Sequence, residues 1–492
     1  MRHLSLGISW AVGLLGFSLA SAVTFEKWFG GTENDNGTSV VQTSWDRGYI
    51  VTGYRQSSGA PAVYLIKTDS LGDTLWTSEF RRGNSVGCEV VLTGTLPWIG
   101  YVIAGYCDSN TPDWYNVYLL QIAPNGDTMW TREYGDPFSQ DFGYSVAKTT
   151  DGGYIIGGYT HTPPDVLLVR TDSDGNLLWT RAYGGPGDDY GYSVVQASTG
   201  YYAIAGSTGG SFPSYDVYLM KTNDGGDSMW ARTYGGASLD CGYSLAKTTD
   251  GGYIMAGQTF SFGAGSSDVY LIKTGPLGDT LWTRTYGDTA YDCGNSVAQT
   301  TDGGYIIAGF TTSYGAGSND VYLIKTDSLG DTLWTRTYGG TFSDRGSSVA
   351  QTTDGGYIIA GETWSYGVGT PGHPNVYLIK TDSLGSTGIE ERFFSGAQKV
   401  GANFSLRCEP NPFTSVANIR YSVTAPTHVN LKIYNSAGQV VRNLVSEQKQ
   451  AGDYRMHWDG TDDNGKESEA GVYFSRVEAG DFKVTKKMIL LH

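Results

Sequence analysis

Residues able to do chemistry are few in this chain, and most recur at a regular step. An aspartate followed two residues later by glycine stands at Asp35, Asp141, Asp189, Asp240, Asp292 and Asp344, with Ser85 at the corresponding place of a seventh segment. Carboxylates brought to one rim could hold a cation through hard oxygen ligands. A simpler reading needs no ligand: each Asp accepts hydrogen bonds from its own turn. No metal is assigned on this pattern. Beyond residue 22, histidine occurs only at His161, His373, His428, His457 and His492. None has metal-ligand spacing, and there is no nucleophile elbow or phosphate loop. The sequence assigns no catalytic residue and no cofactor.

Aromatic residues form the second group. Trp114, Tyr115, Phe212, Tyr215, Phe260, Phe262, Tyr314, Trp364 and Tyr366 fall in segments that vary between otherwise similar stretches, among Gly, Ser and Pro. Rigid rings set in adaptable polar surroundings suit recognition of surfaces and sugars. Rings at such places can equally cap the cores beneath them, and the sequence leaves both readings open.

The elements that must position these groups come from one unit, about fifty residues long, written seven times. Its fullest form runs from Ser296 to Gly340, and the glycine closing its GYIIAG phrase recurs at Gly53, Gly105, Gly158, Gly206, Gly257, Gly309 and Gly361. Each copy reads as four short strands: SVAQT, GYIIAG-x-T after a tight TDGG turn, DVYLIKTD, and DTLWTRTYGG after an S-L-G turn. β-Branched and aromatic residues fill the strands, and Gly, Asp and Ser fill the joints. Four antiparallel strands per unit of this length make the blade of a β-propeller.

The last copy stops at Gly385 without its LWTRTYGG strand. That strand stands near the start of the chain as Thr24–Gly31, with Phe25 in the Trp position. The expectation is therefore an all-β chain: a seven-bladed propeller over residues 23–388, closed by its N-terminal strand, which removes exposed sheet edges. Trp76, Trp130, Trp179, Trp230, Trp282 and Trp334 occupy one position of the fourth strands and should pack on the neighbouring blade. Arg132, Arg181, Arg232, Arg284 and Arg336 follow on the same strand face, placed to stack on the rings. The phrase TDSLGDTLWTRTYG resembles the tryptophan-docking repeat of quinoprotein propellers, with a turn one residue shorter. Only the packing role carries over, because no quinone pocket is matched.

Bulk properties bound the function. The 492 residues carry a net charge of −16, with 70 Gly and 35 Tyr. An acidic chain lacks the basic footprint of nucleic-acid binding. Arg2 and His3, an apolar run from Leu4 to Leu19, and Ala20-Ser21-Ala22 before Val23 read as a signal peptide over residues 1–22, cleaved between Ala22 and Val23. No second apolar span follows, so a mature chain without a transmembrane segment is expected. Five cysteines are too few for a disulfide framework. Cys88 and Cys107 nevertheless flank the Pro97-Trp98 turn symmetrically. They are expected to face each other across two antiparallel strands, where a disulfide could replace the missing DGG turn.

After a linker over residues 389–403 the repeat ends. Residues 404–492 read as a small Ig-like β-sandwich with turns about every ten residues. The phrases Ile433-Tyr434-Asn435, Gly438-Gln439-Val440, Trp458-Asp459-Gly460 and the terminal Lys486-Lys487 carry a resemblance. This segment resembles the C-terminal sorting domain of proteins exported by the bacterial type IX secretion system. It is similar also to the Ig-like domain of flagellar hook-capping proteins. The resemblance implies periplasmic transit, recognition by the type IX machinery, and release or attachment at the outer cell surface. The favoured function is a secreted or cell-surface protein that binds a glycan or an extracellular protein. A polysaccharide hydrolase or lyase and a structural cell-surface component are the alternatives, the former resting on fold analogy alone.

Overall fold

The computed structural model describes residues 23–387 and 406–491, apart from short stretches at 58, 95–99, 109–113, 137–138, 162, 210–214, 369–371, 410–412, 424–425, 436–438 and 480–481. The expected signal segment, with Ala22, and the linker at 389–403 lie outside the described residues, as do Phe212 and the Pro97-Trp98 turn. The chain divides into two compact units, Met1–Gly385 and Ser386–His492. Among the described residues no helix is long and apolar enough to cross a membrane.

The first unit holds seven four-stranded antiparallel sheets among its described residues, in a propeller-like series. Sheet 6 is representative: Asp292–Gln299, Tyr305–Thr311, Asp320–Thr326 and Thr332–Tyr338 follow one another and pair in that order. Sheets 1 to 5 precede it, starting at Asp35, Ser85, Asp141, Asp188 and Asp240. Sheet 7 takes three strands from residues 344–381, and its fourth is Phe25–Phe29, paired with Asn375–Thr381 in the register Phe25↔Lys380 to Phe29↔Val376. The third strands of sheets 5, 6 and 7 are buried from end to end, as in Asp320–Thr326, because apolar layers cover both faces. This is why they read as continuous apolar runs. Clusters of buried residues join neighbouring sheets, for example Leu271 and Ile254 of sheet 5 with Ile307 and Tyr322 of sheet 6. Another joins Phe25 and Leu378 of sheet 7 to Tyr49 and Ile66 of sheet 1.

The fourth-strand tryptophans do pack on the next sheet. Trp282 lies 5.8 Å from Tyr305. The S-L-G turn that follows is clasped by three side chains: a Cβ on Gly330 would fall 2.8 Å from the Trp282 ring, Tyr286 donates its hydroxyl to Gly330 O, and Arg284 stacks 5.6 Å from Trp282. Phe25 plays the Trp part on sheet 1, 5.9 Å from Tyr49.

The first strands begin earlier than SVAQT. In sheet 6 the strand starts at Asp292 itself, so D-x-G forms its first residues rather than a preceding turn. A β-bulge follows at once, since Gly294 pairs with Gly309 and Ser296 with Ala308, leaving Asn295 extra. The same bulge recurs in every sheet, at Thr38, Cys88, Tyr144, Tyr192, Tyr243, Asn295 and Ser347. It explains the repeat's most constant residue: a Cβ on Gly309 would fall 1.9 Å from the Cys293 carbonyl oxygen.

The bulge also corrects the cysteine expectation. Ser85, not Cys88, pairs with Cys107, while Cys88 is the bulged residue. Both thiols are free, so no cross-strand bond forms.

The second unit holds a three-stranded sheet (Leu406–Glu409, Ala417–Val423, Gly452–Trp458) and a four-stranded one in the order Val440–Lys449, Thr427–Asn435, Gly471–Ala479, Phe482–Leu490. Ile419, Tyr421 and Trp458 from the first pack with Val429, Leu431 and Val477 from the second in one core, which makes it a sandwich.

Candidate functional site

A bulge adds one residue to a strand and re-aims its side chain. Here the bulged residue and its successor from all seven sheets line one cavity of about 120 Å³. The successors are Ser39, Glu89, Ser145, Ser193, Ser244, Ser296 and Ser348. Each accepts a hydrogen bond from a backbone N–H of the next sheet: Val90 N–H to Ser39, Val146 to Glu89, Val194 to Ser145, Leu245 to Ser193, Val297 to Ser244 and Val349 to Ser296. The seventh bond returns to sheet 1, from Val40 N–H to Ser348 Oγ at 3.3 Å. Glu89 is the one carboxylate among these seven positions, and burial pushes its pKa up despite hydrogen bonds from Ser145 and Val146.

Around this cavity the sheets are not alike. Bulged Tyr144, Tyr192 and Tyr243 join other rings of sheets 2 to 5 into a continuous aromatic belt. Tyr115 lies 5.5 Å from Tyr106, and Tyr106 lies 5.0 Å from Phe142. Phe142 leads to Tyr159 at 5.1 Å, and Tyr159 to Tyr190 at 4.8 Å. Tyr144 stacks on Tyr159 at 5.6 Å, Tyr190 on Tyr192 at 6.1 Å, and Tyr192 meets Tyr243 at 5.5 Å. These rings are half-buried, with faces and edges still reaching solvent. Burial pushes the Tyr144, Tyr192 and Tyr243 phenols upward, so they stay neutral and both donate and accept hydrogen bonds.

Sheets 6, 7 and 1 present different chemistry. Arg345 lies over Phe310 at 4.9 Å and pairs with Glu362 at 3.8 Å, and Asn36 donates to Glu362 at 2.7 Å. Burial pushes Glu362 up, with Arg345 acting against it. The rim is therefore aromatic over sheets 2 to 5, while sheets 6 and 7 set the Arg345–Glu362 ion pair beside the stacked rings of Tyr291 and Phe310, an arrangement that can orient an asymmetric ligand.

The variable-segment aromatics divide. Tyr115 and Tyr215 enter the belt, the latter 6.1 Å from Tyr190. Phe262, Tyr314 and Tyr366 instead cap their own sheets, 5.7, 5.7 and 5.9 Å from Tyr270, Tyr322 and Tyr377. Tyr314 and Tyr366 also donate their hydroxyls to Gly287 O and Gly339 O. Phe260 meets Tyr291 at 5.8 Å. Trp114 and Trp364 are half-buried near their strand ends. Sequence reasoning missed Tyr106, Phe142, Tyr144, Tyr159, Tyr190, Tyr192 and Tyr243. Their signal was present: aromatic residues at the x of D-x-G, just after it, or just after the repeat glycine.

The aspartates Asp35, Asp141, Asp189, Asp240, Asp292 and Asp344 are buried, and each accepts from its own turn. Gly31 N–H donates to Asp35, Asp136 N–H to Asp141, Gly185 N–H to Asp189, Gly236 N–H to Asp240, Asp288 N–H to Asp292, and Gly340 N–H to Asp344. The TDGG aspartates have a role that spacing did not suggest. Asp250, Asp302 and Asp354 pair with the buried Lys273, Lys325 and Lys380 of the third strands, Asp151 pairs with Arg170, and Asp46, in the Trp45-Asp46-Arg47-Gly48 turn that replaces TDGG in sheet 1, pairs with the buried Lys67. The S-L-G turns are Asx turns, with Asp327 accepting from Leu329 and Asp331 N–H. His161 and His373 are exposed. A cleft of about 620 Å³ lies in the C-terminal unit, but Asp462 there accepts from Asn464 and Lys466 N–H and Asp463 from Asn443.

Residues 413–481 match the FlgD Ig-like domain family. No curated protein sequence matches the chain. Among solved structures, PorZ, a surface component of the type-IX secretion system of Porphyromonas gingivalis, aligns at 11% identity and a TM-score of 0.42, over 94% of this chain and 60% of that one. The chain thus spans 60% of that protein's length. Sqt1 of Chaetomium thermophilum aligns at 12% identity and a TM-score of 0.42, over 69% and 82% of the two chains. Drosophila semaphorin 1b aligns at 8% identity and 0.40, over 73% and 86%. These likenesses are too loose to bear on function.

Proposed function

We propose that this chain is a secreted or cell-surface β-propeller that binds a glycan at the aromatic rim of its central channel. The observation that carries the reading is the unbroken belt from Tyr115 to Tyr243, nine half-buried rings on sheets 2 to 5 of a scaffold that elsewhere repeats closely. Neutral tyrosines offer faces for sugar C–H groups and hydroxyls for sugar oxygens. The Arg345–Glu362 pair on the opposite side would set the ligand's direction.

The scaffold we infer is a seven-bladed ring closed by Phe25–Phe29. Support comes from two cycles of contacts that each return from sheet 7 to sheet 1, through Ser348 to Val40 and Phe25 to Tyr49. The signal peptide over residues 1–22, the linker over 389–403 and export through the type IX machinery belong to the same proposal. They rest on the N-terminal apolar run and the sorting-domain phrases of residues 404–492. The test is a glycan array probed with the mature chain beside a Tyr144→Ala/Tyr192→Ala variant. Signals on a related set of glycans, absent in the variant, are expected. A blank array with folded protein would overturn the glycan reading.

A further inference from the structure

Glu89 breaks the ring that all seven sheets share. In six sheets the residue after the bulge is serine, and in sheet 2 it is Glu89. Its carboxylate makes the bond the serines make: Val146 N–H donates to Glu89 Oε2 at 2.7 Å, as Val194 N–H donates to Ser145 Oγ at 3.0 Å. This link between sheets needs no carboxylate, since a hydroxyl makes it at the other six places. A carboxylate is also the more costly choice, because burial disfavours its charged form unless a cation stands beside it.

The cavity supplies no such cation. Its described lining holds no Lys, Arg or His. The other titratable groups there are the Cys88 thiol and the Tyr144, Tyr192 and Tyr243 phenols, and burial pushes all four upward, so they stay neutral. On the rim above, Arg345 pairs with Glu362. Glu89 is itself pushed upward, by burial first. What the cavity does supply is ring faces. Tyr144, Tyr192 and Tyr243 line it in a row, with centroids 5.9 and 5.5 Å apart. Such faces attract a cation taken out of water.

These groups select among ligands. An anion is repelled by Glu89, and a neutral hydroxyl is served as well by a seventh serine. An ammonium group has three donors and no acceptor, and it meets a carboxylate, serine oxygens and ring faces together. The cavity of about 120 Å³ has roughly the volume of four waters, room for an amine and its carbon but not for a whole sugar.

We propose that the channel cavity binds a protonated amine, its ammonium against Glu89 and among the Tyr144, Tyr192 and Tyr243 rings, and that the glycan recognised at the rim carries free amino sugars. The second part rests on the glycan reading above.

The test is a calorimetric titration of the mature chain at about pH 6.5, where an amine of ordinary basicity is protonated. The probes are the tetrasaccharide of glucosamine and its N-acetylated counterpart, in which the amine and its charge are lost. The glucosamine form is expected to bind roughly tenfold tighter or more. Glu89→Ser copies the residue of the other six sheets, so the fold is kept, and it should weaken the glucosamine form by a similar factor. Equal or tighter binding of the acetylated form would overturn the amine proposal and leave the glycan reading standing. Undiminished binding of the glucosamine form by Glu89→Ser would overturn it too. Binding of neither form would also overturn it, and the glycan array then decides the rim reading separately.

Discussion

Six of the seven residues that follow the bulges are serines, and the seventh is Glu89. Its folded-state pKa is raised by burial, so the neutral acid is the form the fold prefers. The stability it contributes is therefore complete below the ordinary Glu value and is lost as pH rises through the raised one. Glu89→Ser should restore the serine ring, and its advantage over wild type in urea unfolding should be larger at pH 8 than at pH 4.5. An advantage equal at both pH values would contradict this. The Lys–Asp pairs carry the opposite sign. Lys273 is buried, and its partner Asp250 is half-exposed. Desolvation acts to raise Asp250, but hydrogen bonds from Lys273, Thr248 and Gly252 outweigh it and hold the carboxyl at about 2. That contribution is present above the unfolded carboxyl value and is lost as pH falls from there toward 2. Asp250→Asn should cost about 1–2 kcal/mol at neutral pH, below the ~3–5 kcal/mol of a fully buried pair because Asp250 meets solvent. The cost should shrink on acidification in the same unfolding measurement. Neither residue announced itself in sequence. The TDGG aspartate looked like turn chemistry alone, and its lysine partner lies about twenty residues away.

Within a sheet, the bulge governs both the fold and the rim. It presses the Cys293 carbonyl against Gly309 and leaves no room for a Cβ. Gly309→Ala should cost about 3–5 kcal/mol in unfolding free energy, because the clash is with backbone and cannot be relieved by a rotamer. Gly330 combines a φ of +81° with contact to the Trp282 ring. Strand identity and order were legible from composition and turn residues, since four strands per unit leave little choice. The bulge was not. It changes no composition, and it moves the D-x-G phrase from turn to strand. One extra residue also moved Cys88 out of line with Cys107. The aromatic rim was legible only in part for the same reason. Tyr115 and Tyr215 lie in variable segments that attract notice, whereas Tyr144 and Tyr192 lie in a strand whose alternation would have turned them elsewhere. Phe262, Tyr314 and Tyr366, binding candidates from sequence, lie over Tyr270, Tyr322 and Tyr377, where capping is the role the contacts describe.

For the first unit as a whole, the repeat marked out its length and strand count, while its ligand had to be sought where the copies differ. The N-terminal strand is the point where order in sequence and order in space part. Deleting residues 23–30 would leave Asn375–Thr381 as an open edge and remove buried Phe25. Loss of a core Phe alone costs about 3–5 kcal/mol. The truncated chain should melt earlier and show concentration-dependent association by size-exclusion chromatography, because an unpaired edge strand recruits another. Unchanged melting would contradict a ring closed by this strand. The most direct test of the central claim is a calorimetric titration of the mature chain with its strongest glycan from the array, beside Tyr192→Ala and Tyr314→Ala. The belt residue should matter and the cap should not: binding is expected to weaken at least tenfold in Tyr192→Ala and to stay within twofold in Tyr314→Ala. Retained affinity in Tyr192→Ala, or loss confined to Tyr314→Ala, would place recognition away from the channel rim and contradict the account.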